Sequence, residues 1–375
     1  MNTFNQIKIS RSALVHNYHI CRQAAGGAAI MPLVKADGYG HGMIDCARIF
    51  AEQGAAAFGV AEAREGVLLR AAGITQPILV LVGVISDTLR TIVEAGLTPV
   101  VTDAAVLPEL SRVAGACRTE VGLHIKLDAG MGRQGVLPAE FIDTVQAIRR
   151  LPHLRIDGIM AHFPMSDDRQ SDNTVLVLDM FLKTTGSSAD YGLDRCCLHL
   201  ANSGGLFYVA GARLDMVRPG IALYGYYPDG ADGRKNAVSP LLQPAMRFVT
   251  RIIQVRTLEA GRSLGYSHLF TTTRPSRIAV LPVGYEDGYL RVLSNRAQVL
   301  IHGQRVPVVG RISMNLTLVD VTDLGREVHP GEEVVLLGSQ GEEEITADEI
   351  ADWMQTISYE VLCLFGNLNA RTMVE

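Results

Sequence analysis

Charge is scarce in this sequence. Only 19% of its 375 residues are Asp, Glu, Lys or Arg, the formal net charge is -5, and no Lys/Arg cluster is interleaved with aromatics. Such a surface has no basic stripe to neutralise a run of phosphates, which argues against nucleic acid as a partner. The six cysteines, Cys21, Cys46, Cys117, Cys196, Cys197 and Cys363, form no CxxC pair and no His/Cys spacing suited to tetrahedral zinc. They read as reduced, buried thiols, and no metal site is expected. The N-terminal MNTFNQIKISRSAL lacks the basic, apolar, small-residue order of a signal peptide, and every apolar run is too short to span a bilayer. The expectation is a cytoplasmic protein with no membrane partner. Internal repeats and low-complexity tracts are also lacking. No GxGxxG follows the first apolar run, so a dinucleotide-binding reading has little support.

What the chain has is apolar material, 48% of its residues, and enough length for one large barrel plus a smaller domain. Short β-branched runs at 29–34, 55–60, 77–82, 98–101, 121–127, 156–161, 196–200 and 216–223 alternate with stretches of helical spacing. Eight continuous apolar strands separated by helices fit an α/β fold with an N-terminal (β/α)8 TIM-type barrel, expected over residues 10–235. An open doubly wound sheet is the alternative. After the Gly/Asp/Pro-rich segment PDGADGRKNAVSP the pattern changes to turn-punctuated runs such as RFVTRIIQV, RIAVLPV and EVVLLG. These predict a mainly β C-terminal domain over 236–375, with a short helix including 347–355 that starts near a capping Thr346.

In barrels the working groups stand where strands end, so the residues after each run are informative. The first run ends in Lys35, Lys126 and Asp128 follow the fifth, and His162 follows the sixth. His199, Asn202 and Ser203 surround the seventh, and Arg218 lies within the eighth. A lone strand-end lysine is usually salt-bridged or solvated. Several such groups at successive strand ends point instead to a site. An amine whose pKa falls below its free value of ~10.4 can form an imine with an aldehyde. Tyr39 in a Gly-rich turn, the hydroxyl of Ser203 before Gly204 and Gly205, and the backbone of Gly220 and Ile221 could hold a phosphate. An aldehyde-bearing phosphate cofactor fits both halves.

The stretches VKADGYGHG (34–42), LDAGMGRQG (127–135), HLANSGG (199–205), VRPGIALYG (217–225), LGYSHLF (264–270), VGYEDGY (283–289) and GRISMN (310–315) together resemble the alanine racemase family over nearly the whole chain. The resemblance implies pyridoxal 5′-phosphate in the barrel, an amino-acid substrate, D-alanine supply for peptidoglycan, and a head-to-tail homodimer with shared active sites. It also implies that residues 1–9 add a strand to the C-terminal domain. Residue by residue, Lys35 resembles the cofactor lysine and the base acting on the D-isomer. Tyr266 resembles the opposing base, reaching into the partner's barrel. Racemisation needs a base on each face of a planar carbanion, because one base returns the proton to the side it came from.

Arg218 matches the residue paired with the pyridine nitrogen, where a guanidinium donates a hydrogen bond without protonating the ring. That weakens the electron sink and favours reprotonation over side reactions. His199 resembles a support of Arg218, and His162 an orienting partner of Tyr266. Arg133 resembles the contact to the cofactor's phenolic oxygen and the substrate carboxylate. Lys126 matches a lysine often carbamylated beside that arginine. Tyr39, Asn202, Ser203, Gly220, Ile221 and Tyr359 correspond to the cofactor shell, and the N–H of Met314 to a substrate contact. Tyr285, Arg291 and Arg311 correspond to the entryway. Three departures stand out: Asn315 replaces the usual aspartate, FGNLNARTMVE keeps only Arg371 of the usual ending, and His268 is not the common choice. The alternatives are a serine or broad-specificity racemase, a decarboxylase of related barrel type, or a non-catalytic cofactor-binding protein.

Overall fold

The computed structural model describes residues 4–186, 193, 196–209, 211–237 and 241–375; the last three residues of the expected linker lie outside them. The apolar runs become strands because their side chains are buried on both faces, as parallel strands under a helical cover require. In chain order, β1 (Gln6–Ser10) precedes the barrel strands β2 (Ala29–Ile30), β3 (Phe58–Val60), β4 (Ile78–Val80), β5 (Thr98–Val101), β6 (Val121–Lys126), β7 (Leu154–Met160), β8 (Cys197–His199) and β9 (Met216–Val217). All neighbouring pairs from β3 to β8 are parallel, as is β2 with β9.

Two seams close the ring. Gly59 N donates to Pro32 O and Val34 N to Gly59 O beside β3, while Asp215 N donates to Leu198 O and Arg218 N to Ala201 O beside β8. The eighth strand is shorter than the apolar run 216–223. Pro219 has no N–H for a ladder. Ser203 Oγ then accepts from Gly220 N (3.0 Å) and Ala222 N (3.3 Å), and Ile221–Tyr224 tightens into a 3₁₀ turn. Arg218 therefore stands just past a strand end.

The remaining strands are β10 (Met246–Arg251), β11 (Gln254–Leu258), β12 (Ser263–Leu264), β13 (Phe270–Thr271), β14 (Ser276–Leu281), β15 (Gln298–Ile301), β16 (Gln304–Pro307), β17 (Thr317–Asp320), β18 (Glu333–Gln340), β19 (Glu343–Ile345) and β20 (Arg371–Val374). The largest sheet runs β16-β15-β18-β10-β1-β20, with β19 on β18; a second is β11-β14-β17. Strand β1 lies antiparallel to β10 and parallel to β20, so the first and last strands sit in one sheet. The helix Ala347–Met354 starts as its sequence predicts, with Thr346 accepting from Glu349 N at 3.1 Å. Among the described residues no helix is long and apolar enough to cross a membrane.

Candidate active site

Lys35 follows β2 and opens an unusual piece of backbone. Ala36, Asp37, Gly38, Tyr39 and Gly40 have φ of 52°, 52°, 65°, 54° and 82°, a left-handed turn. For a residue with a Cβ this conformation costs roughly 1–2 kcal/mol, and strain of this kind collects at functional sites. Gly40 is the position that tolerates nothing larger: a Cβ there would lie 2.3 Å from Leu362 O.

Around the lysine the strand ends bring cations together. Burial, and then Arg133, hold the Lys35 amine below its ordinary value, while Glu65 and Cys363 act the other way. Lys126, at the end of β6 and only 4% exposed, is pushed down to about 8 by burial and then by Arg133 and Arg218. Both amines are thereby biased toward the neutral, nucleophilic form. Arg133 is carried by the loop after β6. Asp128 shapes that loop by accepting from Gly130 N (3.1 Å), Gly132 N (3.0 Å) and Arg133 N (3.1 Å).

Arg218 is 2% exposed, and its hydrogen-bond partners are all uncharged. Nη2 donates to Ala161 O at 2.7 Å and Leu200 O at 3.1 Å and faces His162 Nδ1 at 3.4 Å; Nη1 donates to His199 Nδ1 at 3.1 Å. Burial lowers its pKa to about 10, which leaves it charged at neutral pH. Because a guanidinium can only donate, the Nδ1 of each histidine must be bare. His199 then carries its proton on Nε2 and donates it to His124 Nδ1, 2.8 Å away. Burial, followed by Arg218 in each case, keeps His162 down at about 3 and His199 well below its usual value.

His124 was not singled out from the sequence, although a signal existed: it precedes Lys126 by two residues on β6, so both project to one face. Gly158 opposite makes room, since a Cβ there would lie 2.3 Å from the His124 ring.

The remaining barrel residues form a second cluster. Tyr39 is buried and stacks on Tyr224 at 4.9 Å; Tyr359, from the helix Ser358–Leu368, lies 6.1 Å away, ring to ring. Gly220 admits the Tyr39 hydroxyl, which a Cβ would meet at 2.4 Å. Ser203 accepts from the backbone beside Ile221, as above. Asn202 accepts from Gly205 N at 2.8 Å and from Ser166 Oγ at 2.8 Å. The arrangement fits pyridoxal phosphate on its own chemistry: a buried guanidinium with only neutral partners, a neighbouring amine of lowered pKa, and a turn of hydroxyls and glycine backbone.

The other expected residues lie elsewhere. Tyr266 is 67% exposed, and among the described residues it is not one of the groups that shift Lys35. It shares a loop surface with Arg311, Met314 and Tyr285. Gly265 packs on Arg311 N, while Tyr285 N and Glu286 N donate to Ser313 O (3.2 Å) and Met314 O (3.1 Å). Met314 is 53% exposed. Arg291 joins the same surface through Ser294, whose Oγ donates to Arg291 O and accepts from Ile312 N. Asn315 donates to Glu286 there, a bond an aspartate could not make.

Comparison with known proteins matches residues 9–228 to the alanine racemase N-terminal domain and 245–373 to the alanine racemase C-terminal domain. An alanine racemase of Syntrophobacter fumaroxidans is 40% identical, covering 96% of this chain and 95% of that one. One of Thermodesulfovibrio yellowstonii is 39% identical over 100% of this chain and 99% of its own. Among solved structures, alanine racemase from Bartonella henselae with covalently bound pyridoxal phosphate superposes with a TM-score of 0.89 at 27% identity, covering 100% of both chains. The chain belongs to the alanine racemase family, and both of that family's domains are present in it.

Proposed function

We propose that this chain interconverts L- and D-alanine in the cytoplasm, for peptidoglycan precursors, as a head-to-tail homodimer whose two active sites are shared. Its class is that of the family, a pyridoxal phosphate-dependent isomerase. The division we propose is a barrel of residues 10–235 and a β domain of 236–375 joined by residues 1–9. The single observation that carries the shared-site reading is the place of Tyr266 within one chain: it stands 67% exposed and, among the described residues, is not one of the groups that shift the Lys35 amine.

Pyridoxal phosphate, when bound, supplies an aldehyde that joins amines covalently and a ring that acidifies the substrate's α-carbon. Lys35 holds the cofactor and serves one face of that carbon, and Tyr266 of the partner subunit serves the other. From L-alanine the tyrosine takes the α-proton and Lys35 delivers one to the opposite side; from D-alanine the roles reverse. Arg218, supported by His199, would face the cofactor's pyridine nitrogen as a hydrogen-bond donor and keep its own proton. His162, whose Nδ1 faces Arg218 at 3.4 Å, would donate from Nε2–H to that tyrosine. Arg133 and the Met314 N–H of the partner hold the substrate carboxylate, and a carbamate on Lys126 would fix Arg133. Neutralised Lys126 is the form that reacts with carbon dioxide, and its lowered pKa supports this assignment. Tyr39, Ser203, Gly220, Ile221 and Tyr359 would hold the phosphate end, with Asn202 also on the cofactor side. Tyr285, Arg291 and Arg311 line the entryway.

Incubation with a panel of L-amino acids in deuterated water tests the reading. The expected product is D-alanine carrying deuterium at the α-carbon, formed faster than D-serine. Faster turnover of serine would replace alanine as the substrate, and carbon dioxide release would make the protein a decarboxylase.

A further inference from the structure

We infer that Arg371 is a positioning residue for Lys35, holding from the last strand of the chain the left-handed turn on which the lysine stands. The inference rests on the reading of Lys35 as the cofactor lysine. Five successive residues at positive φ, three of them with side chains, do not persist unless their surroundings over-determine them.

Two of the holding groups come from the barrel. Glu65 accepts from Ala36 N at 2.9 Å through Oε1 and from Ala61 N at 2.6 Å through Oε2, tying the turn to the end of β3. His41 lies 1% exposed beneath the turn with Nδ1 3.2 Å from Gly38 O and 3.0 Å from Tyr39 O. Carbonyls only accept, so Nδ1 carries the proton and the imidazole bridges two of the strained peptides.

The third comes from the far end of the chain. Asp37 Oδ1 accepts from Met43 N at 2.7 Å, and Oδ2 pairs with Arg371 Nη2. Arg371 Nη1 donates to Gly366 O at 3.0 Å and to Gly40 O at 3.4 Å. One guanidinium therefore grips the turn at Asp37 and at Gly40 and fixes it to the end of the helix that carries Tyr359 and Cys363. Gly40 and Gly366 touch so closely that a Cβ on Gly366 would lie 1.8 Å from Gly40 O. Strand β20, where Arg371 begins, is itself held parallel to β1. The planar fork explains the residue type, since an ammonium in its place would keep the charge but not both contacts.

Arg371→Ala, Arg371→Lys, Asp37→Asn and the double variant Asp37→Asn with Arg371→Ala, compared as holoenzymes, test this. The readouts are the dissociation constant of pyridoxal phosphate, the visible absorbance of the bound cofactor, kcat, KM and thermal midpoint. Arg371→Ala should bind the cofactor at least about tenfold more weakly and lose kcat by a similar factor with KM for alanine little changed, while the double variant is no worse than Arg371→Ala alone. Arg371→Lys should recover part of the loss. Wild-type cofactor affinity and kcat in Arg371→Ala, even with a lower thermal midpoint, would overturn the inference, as would losses that simply multiply in the double variant. If Arg371→Ala does not fold, Asp37→Asn decides: weakened cofactor binding supports the clasp and unchanged binding overturns it. Lys35→Ala separates the two layers. Retained bound-cofactor absorbance in that variant would sink the lysine assignment, whereas its loss alongside wild-type Arg371 variants would sink only the clasp.

Discussion

The mouth of the barrel and the loop surface around Tyr266 are built on opposite principles. At the barrel mouth, Lys126, His199 and Arg218 are buried, their protonation is set by burial and by one another, and a strained turn carries Lys35. On the loop surface, Tyr266 and Met314 are exposed, although Ser267 and His268 beside the tyrosine also take positive φ, 61° and 48°. The first region is organised by contacts within its own chain. The second presents exposed side chains, which under the proposed shared site would serve another copy. Stability and chemistry should therefore be inseparable in one region and separable in the other.

The largest effect is expected from Lys35→Ala, which should abolish the visible absorbance of bound cofactor and lower activity by roughly four orders of magnitude or more. Tyr266→Phe should cost about 10²–10⁴-fold, more severely for proton abstraction from L-alanine than from D-alanine. Its thermal midpoint should stay close to that of wild type, because the substitution removes one hydroxyl and keeps the ring. Equal α-hydrogen exchange from both isomers at wild-type rates in that variant would refute the two-base assignment. Gly220→Ala makes the complementary case, because its Cβ would sit 2.4 Å from the Tyr39 hydroxyl. We expect about 1–3 kcal/mol of destabilisation by chemical denaturation, together with weaker cofactor binding.

A further effect is one of pH. His41 and His124 are held neutral, each at about 4 against an ordinary 6.5, chiefly by burial. The unfolded chain binds protons at these groups below about 6.5 while the folded chain does not. Their contribution is thus intact above that pH and lost as pH falls toward 4, by up to about 1.4 kcal/mol per unit and per histidine. Urea midpoints that stay level between about pH 7 and pH 5 would contradict the buried neutral imidazoles.

Much of this was legible before the structure. All eight barrel strands fall within or across the apolar β-branched runs, because strands buried on both faces have a continuous signature. The final run overstated its strand, since nothing in 216–223 announces that Ser203 captures two of its N–H groups. The family motifs named Lys35, Arg218 and Tyr266. They did not disclose the left-handed turn, because Ala36 and Tyr39 are residues without a preference for positive φ. The clasp between Asp37 and Arg371 joins positions 334 residues apart and leaves no local pattern. His124 was readable from its two-residue spacing to Lys126, but a histidine in an apolar strand is more often simply packed.

The most direct test of the shared site is complementation. Lys35→Ala and Tyr266→Phe chains, each inactive alone, are mixed by co-expression in equal amounts and assayed for alanine racemisation. Random pairing gives half mixed dimers, each with one site that has both Lys35 and Tyr266, so about a quarter of wild-type activity should return. If the mixture forms mixed dimers and stays as inactive as its components, Tyr266 does not act in the partner's barrel and the central claim fails.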